Sequence, residues 1–141
     1  MLVTIALTGC GGDSDETRLT REEYASQADA ICKRYNEQVE ELQRPANIEE
    51  LAEAADKSLP LLDDAIDELR DLRPPESEEQ TAEQWLAQLD LLREDLEEIR
   101  DRAEDNDEAG LRAIIPRAEQ HNARNNQLAT QLGMSVCNMG T

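Results

Sequence analysis

Phenylalanine is absent from the 141 residues, and aromatic side chains make up 2%, namely Tyr24, Tyr35 and Trp85. So few rings disfavour β-sandwiches and β-barrels, whose strands draw on aromatic residues, and remove the stacking platforms that hold single-stranded nucleic acid. Basic residues are also scarce, with 14 Lys and Arg against 33 Asp and Glu, a formal charge of −19. A phosphate backbone requires basic surface, so nucleic acid is a poor partner. No apolar run approaches the roughly 18 residues needed to cross a bilayer. What remains is an all-helical chain of a length suited to one domain. An acidic, aromatic-poor composition also fits a disordered chain, and hydrophobic periodicity has to decide between the two.

The periodicity is helical. Thr20-Arg21-Glu22-Glu23 has the form of a capping box, in which each end of the motif satisfies a backbone N–H of the other. It opens a helix over 20–43 with the apolar stripe Tyr24, Ala28, Ile31, Tyr35, Val39 and Leu42, ending before Pro45. Asn47 with Glu50 repeats the capping signal, and Ile48, Leu51, Ala55, Leu62, Ile66 and Leu69 carry a second stripe to Pro74-Pro75. Pro60 removes one hydrogen bond from that helix and is expected to kink or briefly break it, with Ser58 able to recap the second half. Ser77 with Gln80 opens a third helix bearing Ala82, Trp85, Leu89, Leu92, Leu96, Ile99 and Ala103 at alternating spacings of three and four. Asp105-Asn106-Asp107 supplies a turn and cap. A fourth helix then carries Leu111, Ile115, Ala118, Ala129 and Leu132 to Gly133, a residue suited to the left-handed position after a helix, with Pro116 expected to bend it. Short loops between amphipathic helices predict an antiparallel up-down four-helix bundle, kinked at Pro60 and Pro116. The disordered alternative loses, because each helix shows one apolar and one charged face.

The N-terminus reads differently. Residues 1–9 are uncharged and mostly apolar and run into Leu7-Thr8-Gly9-Cys10. That is a lipobox pattern, in which Cys10 receives a diacylglyceryl group and becomes the first residue after cleavage. The apolar run is short and no Lys or Arg precedes it, which points to a start upstream of Met1. The alternative is an apolar N-terminus tucked into the core with Cys10 as a free thiol. The expected organisation is a signal remnant at 1–9, a lipidated flexible tether at 10–19 beginning with Gly11-Gly12-Asp13-Ser14-Asp15, and a bundle domain at 20–141. Lipidation places the domain outside the cytoplasm, against the plasma membrane.

Export puts Cys32 and Cys137 in an oxidising compartment, where two cysteines of one small domain usually pair. A zinc site or a catalytic thiol would need partners, and His121 is the lone histidine with no Cys-x-x-Cys present. A disulfide is the favoured reading.

Other patterns have bland explanations. Asp105 to Gly110 begins like a calcium loop but has Ala109 at the fifth position and Pro116 at the twelfth, so it reads as a turn between helices. The residue three before His121 is Ala118, which excludes the Glu-x-x-His element of di-iron bundles. Acidic runs such as Glu94-Asp95-Leu96-Glu97-Glu98 read as a solvated helix face. No nucleophile elbow, phosphate loop or dinucleotide fingerprint occurs, and no cofactor, metal or catalytic residue is expected. One conflict stands out. Continuing the fourth stripe lands on Asn122 and Asn125, with His121 alongside and Glu119 nearby. These are a hydrogen-bonded register feature, a stretch that Pro116 has rotated so that the polar groups reach solvent, or the lining of a small polar pocket.

The constellation Tyr24…Ile31-Cys32-x-x-Tyr35, Leu69-x-x-Leu72-x-Pro74-Pro75, Trp85-Leu86 and Leu132-Gly133-x-x-Val136-Cys137 resembles a group of small secreted proteins and lipoproteins from actinobacteria. The resemblance covers most of residues 20–138 and implies an exported helical domain with a Cys32–Cys137 bridge. It implies no catalytic residues. Together these readings lead to a non-catalytic envelope lipoprotein, held to the membrane by its lipid and binding or supporting another envelope protein. The alternative is a small-molecule or cation carrier that uses the polar notch.

Overall fold

The computed structural model describes residues 18–139; the lipobox, Cys10 and most of the tether lie outside the described residues. Four helices, α1 (Arg21–Glu40), α2 (Ile48–Asp71), α3 (Glu79–Glu104) and α4 (Glu108–Gln131), account for most of it, with no strand among the described residues. One disulfide joins Cys32 to Cys137.

The helix starts are built as the capping patterns dictate. Thr20 accepts from the Glu23 N–H while the Glu23 carboxylate accepts from the Thr20 N–H and hydroxyl, and these last two bonds hold the Glu23 carboxyl below the usual carboxylate range. Asn47 caps α2 through the Glu50 N–H, and Asp107 caps α4 through the Gly110 N–H. The turn before α4 is closed by Asn106 in the left-handed region, at φ 53°, a conformation asparagine tolerates better than most residues. Ser77 does not cap α3. It lies inside a 3-10 turn over Glu76–Glu78, and no side chain caps the α-helix that follows. Both Pro60 and Pro116 sit inside continuous helices. Ser58 does not recap α2 but donates to the Ala54 carbonyl at 2.7 Å.

The helices alternate in direction. The Leu19 N–H donates to the Arg73 carbonyl, and Arg18 donates to the Pro74 carbonyl, which fixes the start of α1 beside the end of α2. Leu19 packs against the core. Arg21 bonds both Glu78, just before α3, and the Gln131 carbonyl at the end of α4. One end of the bundle thus gathers the start of α1, the Pro-Pro turn and the end of α4.

Trp85, Tyr24, Ile66, Leu128 and Leu132 are the largest side chains sealed in the core, interleaved with Ala28, Ala82 and Ala129. Alanine at these positions lets the helices approach closely around few large groups. Burial pushes the Tyr24 hydroxyl up to about 12. The broad seams are α2 with α3 and α3 with α4, whereas α1 packs more narrowly on α2.

Residues 133–139 form a strap that completes the wall between α4 and α1. It starts where α4 ends, with the Gly133 N–H bonded to the Thr130 carbonyl and the Met134 N–H to the Ala129 carbonyl. This double bond pattern requires a left-handed residue, and Gly133 supplies it at φ 81°. Met134 is buried, and a short 3-10 turn at Cys137–Met139 touches both α4 and α1. Asp29 of α1 holds the strap. Its Oδ2 accepts from the Ser135 N–H at 2.8 Å and the Ser135 hydroxyl at 2.9 Å, and its Oδ1 from the N–H groups of Val136 at 2.8 Å and Cys137 at 3.0 Å.

Burial alone would raise the Asp29 carboxyl, but the N–H groups of Cys137, Ser135 and Val136 together outweigh it and hold the group below its ordinary value. A depressed carboxyl stabilises the fold above its unfolded value, about 3.9, and that contribution is lost as pH falls through the folded value. Asp29→Asn should cost about 1.5–3 kcal/mol in urea unfolding at pH 7, the range for hydrogen bonds to a charged group. The difference from the parent protein should begin to shrink below about pH 4 and disappear only once the pH has fallen below the depressed folded value of Asp29.

Candidate functional site

The polar cluster lies on the seam between α3 and α4. Its α4 residues follow the stripe Leu111, Ile114, Ala118, His121, Asn125, Leu128 and Leu132, with Ile114 buried and Ile115 about half exposed. The expected stripe placed Ile115 inward. Ile114 takes that place because it lies four residues before Ala118 and seven before His121, in line with the buried run that follows.

On α3 the facing residue is Asp95, three positions after Leu92 and four before Ile99, and hence on the inward flank of that helix. Its side chain is 4% exposed. The expectation of a solvated face across Glu94–Glu98 is therefore corrected at Asp95, which is the one buried carboxylate among the described residues. Arg117 Nε donates to its Oδ1 at 2.8 Å, and His121 Nδ1 donates to its Oδ2 at 2.6 Å. Arg117 also bonds Glu98 at 2.5 Å, which holds the Glu98 carboxyl down. Because Asp95 accepts at Nδ1, that nitrogen carries the proton, and Nε2 is left as the ring's second polar position. His121 is 23% exposed, so the ring edge reaches the surface.

The three residues singled out from sequence meet different fates. His121 is oriented by Asp95. Asn122 is half-buried beside it and is engaged in an interaction of its own. Asn125 is 3% exposed, and its Oδ1 is buried with no hydrogen-bond partner. Asn126 Oδ1, the Tyr24 hydroxyl and Trp85 Nε1 are unpartnered in the same way. Asp95 and Arg117 were missed. The signal for Asp95 was its place on the apolar stripe of α3, which a reading of the acidic run as a block concealed.

Chemically the cluster is an ion pair that aims an imidazole. No hydroxyl or thiol is bonded to His121 among the described residues, so the nucleophile and base pair of acyl transfer is not assembled there. No group of three or more His, Cys, Asp or Glu able to hold a metal occurs among the described residues. The turn at Asp105–Gly110 is spent on capping, since Asp107 bonds both the Gly110 N–H and Arg102.

Two hollows lie elsewhere. One of about 70 Å3 sits between α1 and α2 over Ile31, Tyr35, Leu61 and Ala65. A larger cleft of about 560 Å3 is framed by Glu49, Glu53, Asp56 and Glu104 over Ala52 and Ala103, at the end of the bundle opposite the strap. Neither includes Asp95, His121 or Asn125. No helix among the described residues is long and apolar enough to cross a membrane. Neither a family model, nor a curated protein, nor a solved structure matches this chain.

Replacing Asn125 with Leu, of similar size, removes a buried acceptor without opening a cavity. The variant should gain about 1–2 kcal/mol in thermal and urea unfolding, the cost of an amide oxygen desolvated without a bond. A loss of similar size would instead show that Oδ1 is satisfied by bound water or solute.

Proposed function

We propose that the protein is an extracytoplasmic lipoprotein, tethered to the plasma membrane through a diacylglyceryl group on Cys10, whose bundle serves as a non-catalytic binding or structural module of the envelope. The observation that carries this reading is the Cys32–Cys137 disulfide. Intracellular thiols of ordinary cells are kept reduced, so a small domain closed by such a bond fits an exported chain. Cys10 and the Gly-Gly-Asp-Ser-Asp stretch that follows it supply the anchor and the spacer. A single acyl chain binds membranes marginally, whereas two chains hold stably.

A second reading, a helical carrier of a small molecule or cation, is favoured by one observation: the Asn125 Oδ1, buried without a partner beside His121 and Asn122. A solute carrying an N–H or O–H donor would satisfy it. Native mass spectrometry of protein released gently from its host separates the two readings. A stoichiometric small-molecule adduct supports the carrier, and a bare chain supports the structural module.

The anchor is tested with Cys10→Ser behind a complete export signal. The variant should leave the membrane fraction and appear in the soluble exported fraction. Retention in membranes as firm as that of the parent protein overturns the anchoring.

A further inference from the structure

Asp29 stands three residues before Cys32 on α1, so the two side chains share a face of the helix. The strap residue bonded to Cys32 is also bonded to Asp29, through the Cys137 N–H, and the two residues before it are held by the same carboxylate. None of these bonds involves sulfur. A carboxylate that accepts from three consecutive backbone N–H groups fixes the path of the strap by contacts separate from the disulfide, and hydrogen bonds to a charged acceptor are about twice as strong as neutral ones.

We propose that Asp29 is the positioning residue for the Cys32–Cys137 bond: its carboxylate seats the strap on α1 in the reduced protein, so that oxidation joins two thiols already side by side. The sequence separation of 105 between the cysteines would otherwise impose the loop-closure cost at the moment of oxidation. With the helices packed and the strap clamped, that cost has been met before the sulfurs react. The oxidant is a disulfide. One protein thiolate attacks it and expels a thiolate, giving a mixed disulfide; the other protein thiolate then displaces the second half. One disulfide is made, one is reduced to two thiols, and the two protein thiol protons end on the released thiolates.

The experiment equilibrates the full chain in buffers of reduced and oxidised glutathione at neutral pH, and measures the thiol–disulfide equilibrium constant by mass after alkylation. Asp29→Asn should lower that constant at least tenfold while both redox states keep the parent's helical circular dichroism. Ile114→Ala, at the far end of the bundle, weakens packing without touching the strap and should leave the constant within twofold of the parent. Amide exchange on Cys32→Ser/Cys137→Ser, which has no sulfur bond, should still show protected N–H groups at residues 135–137, and adding Asp29→Asn should expose them. Ser135→Ala removes only the hydroxyl donor and covers the case in which Asp29→Asn fails to fold; it should lower the constant by a smaller factor. An unchanged constant in the folded Asp29→Asn chain overturns the proposal. So does a strap whose amides are unprotected in the sulfur-free chain.

Discussion

Closing the wall between α1 and α4 is the constraint on which the rest of this bundle depends. The broad seams run α2 to α3 and α3 to α4, while α1 leans on α2 and meets the far side chiefly through the strap. With few large apolar groups available, the chain cannot rely on another wide helix seam. It uses instead a left-handed glycine at 133 to turn the backbone, a carboxylate at Asp29 to receive it and a covalent bond to hold it. These three devices act on seven consecutive residues. The core beneath them, centred on Trp85, Tyr24 and Leu132, is sealed because the strap brings Met134 and Cys137 down onto it.

Charge follows a different logic from packing. Most of the arginines are paired with carboxylates on the surface, as Arg34 with Glu68, Arg70 with Asp90 and Arg93 with Asp63. Exposed pairs of this kind contribute little each. Their collective effect is to place opposite charges across the α1–α2 and α2–α3 seams, which disfavours shifted registers in a protein with an excess of acid. Asp95 is the exception, since a buried carboxylate left alone would be costly and is matched by Arg117 and His121. That trio fixes the relation of α3 to α4 at a level where the stripe of α4 turns polar.

What could be read from the sequence was what depends on neighbours close along the chain. The capping partners Thr20 with Glu23, and Asn47 with Glu50, lie three residues apart, and the stripe from Ala82 to Ala103 repeats for six steps of three or four residues. The Cys32–Cys137 pair was legible for another reason: if the domain is read as exported, its two cysteines leave few alternatives. Harder to read were features whose partner is far away. Asp29 looks like any other acid in a chain rich in them, and only the approach of the strap marks it out, whereas the place of Asp95 between Leu92 and Ile99 was a signal that the surrounding acidic run hid. Ile114 and Ile115 are adjacent and equivalent in composition, so choosing the inward one required the phase of the whole helix. Ser77 and Ser58 satisfied local rules that tertiary packing overrode, one inside a 3-10 turn and the other turned back onto its own helix. The polar seam was visible as a break in the apolar pattern, but its carboxylate came from another helix.

The placement of the disulfide also governs how the domain meets mechanical load. The chain enters at Arg18, at the same end as the strap, so a pull transmitted from the N-terminal side reaches α1 first. Peeling α1 away from that end would free its turns one by one, the least resistant geometry for a helix. The peel stops at Cys32, about halfway along α1, because from there tension passes through the sulfurs to Cys137 and on toward Asn138. The second half of α1 and the whole of α2, α3 and α4 are then bypassed by the force. The turns that precede Cys32 carry Tyr24, Ala28 and Ile31, so such a pull opens this edge of the core while the chain between the two cysteines stays out of its line.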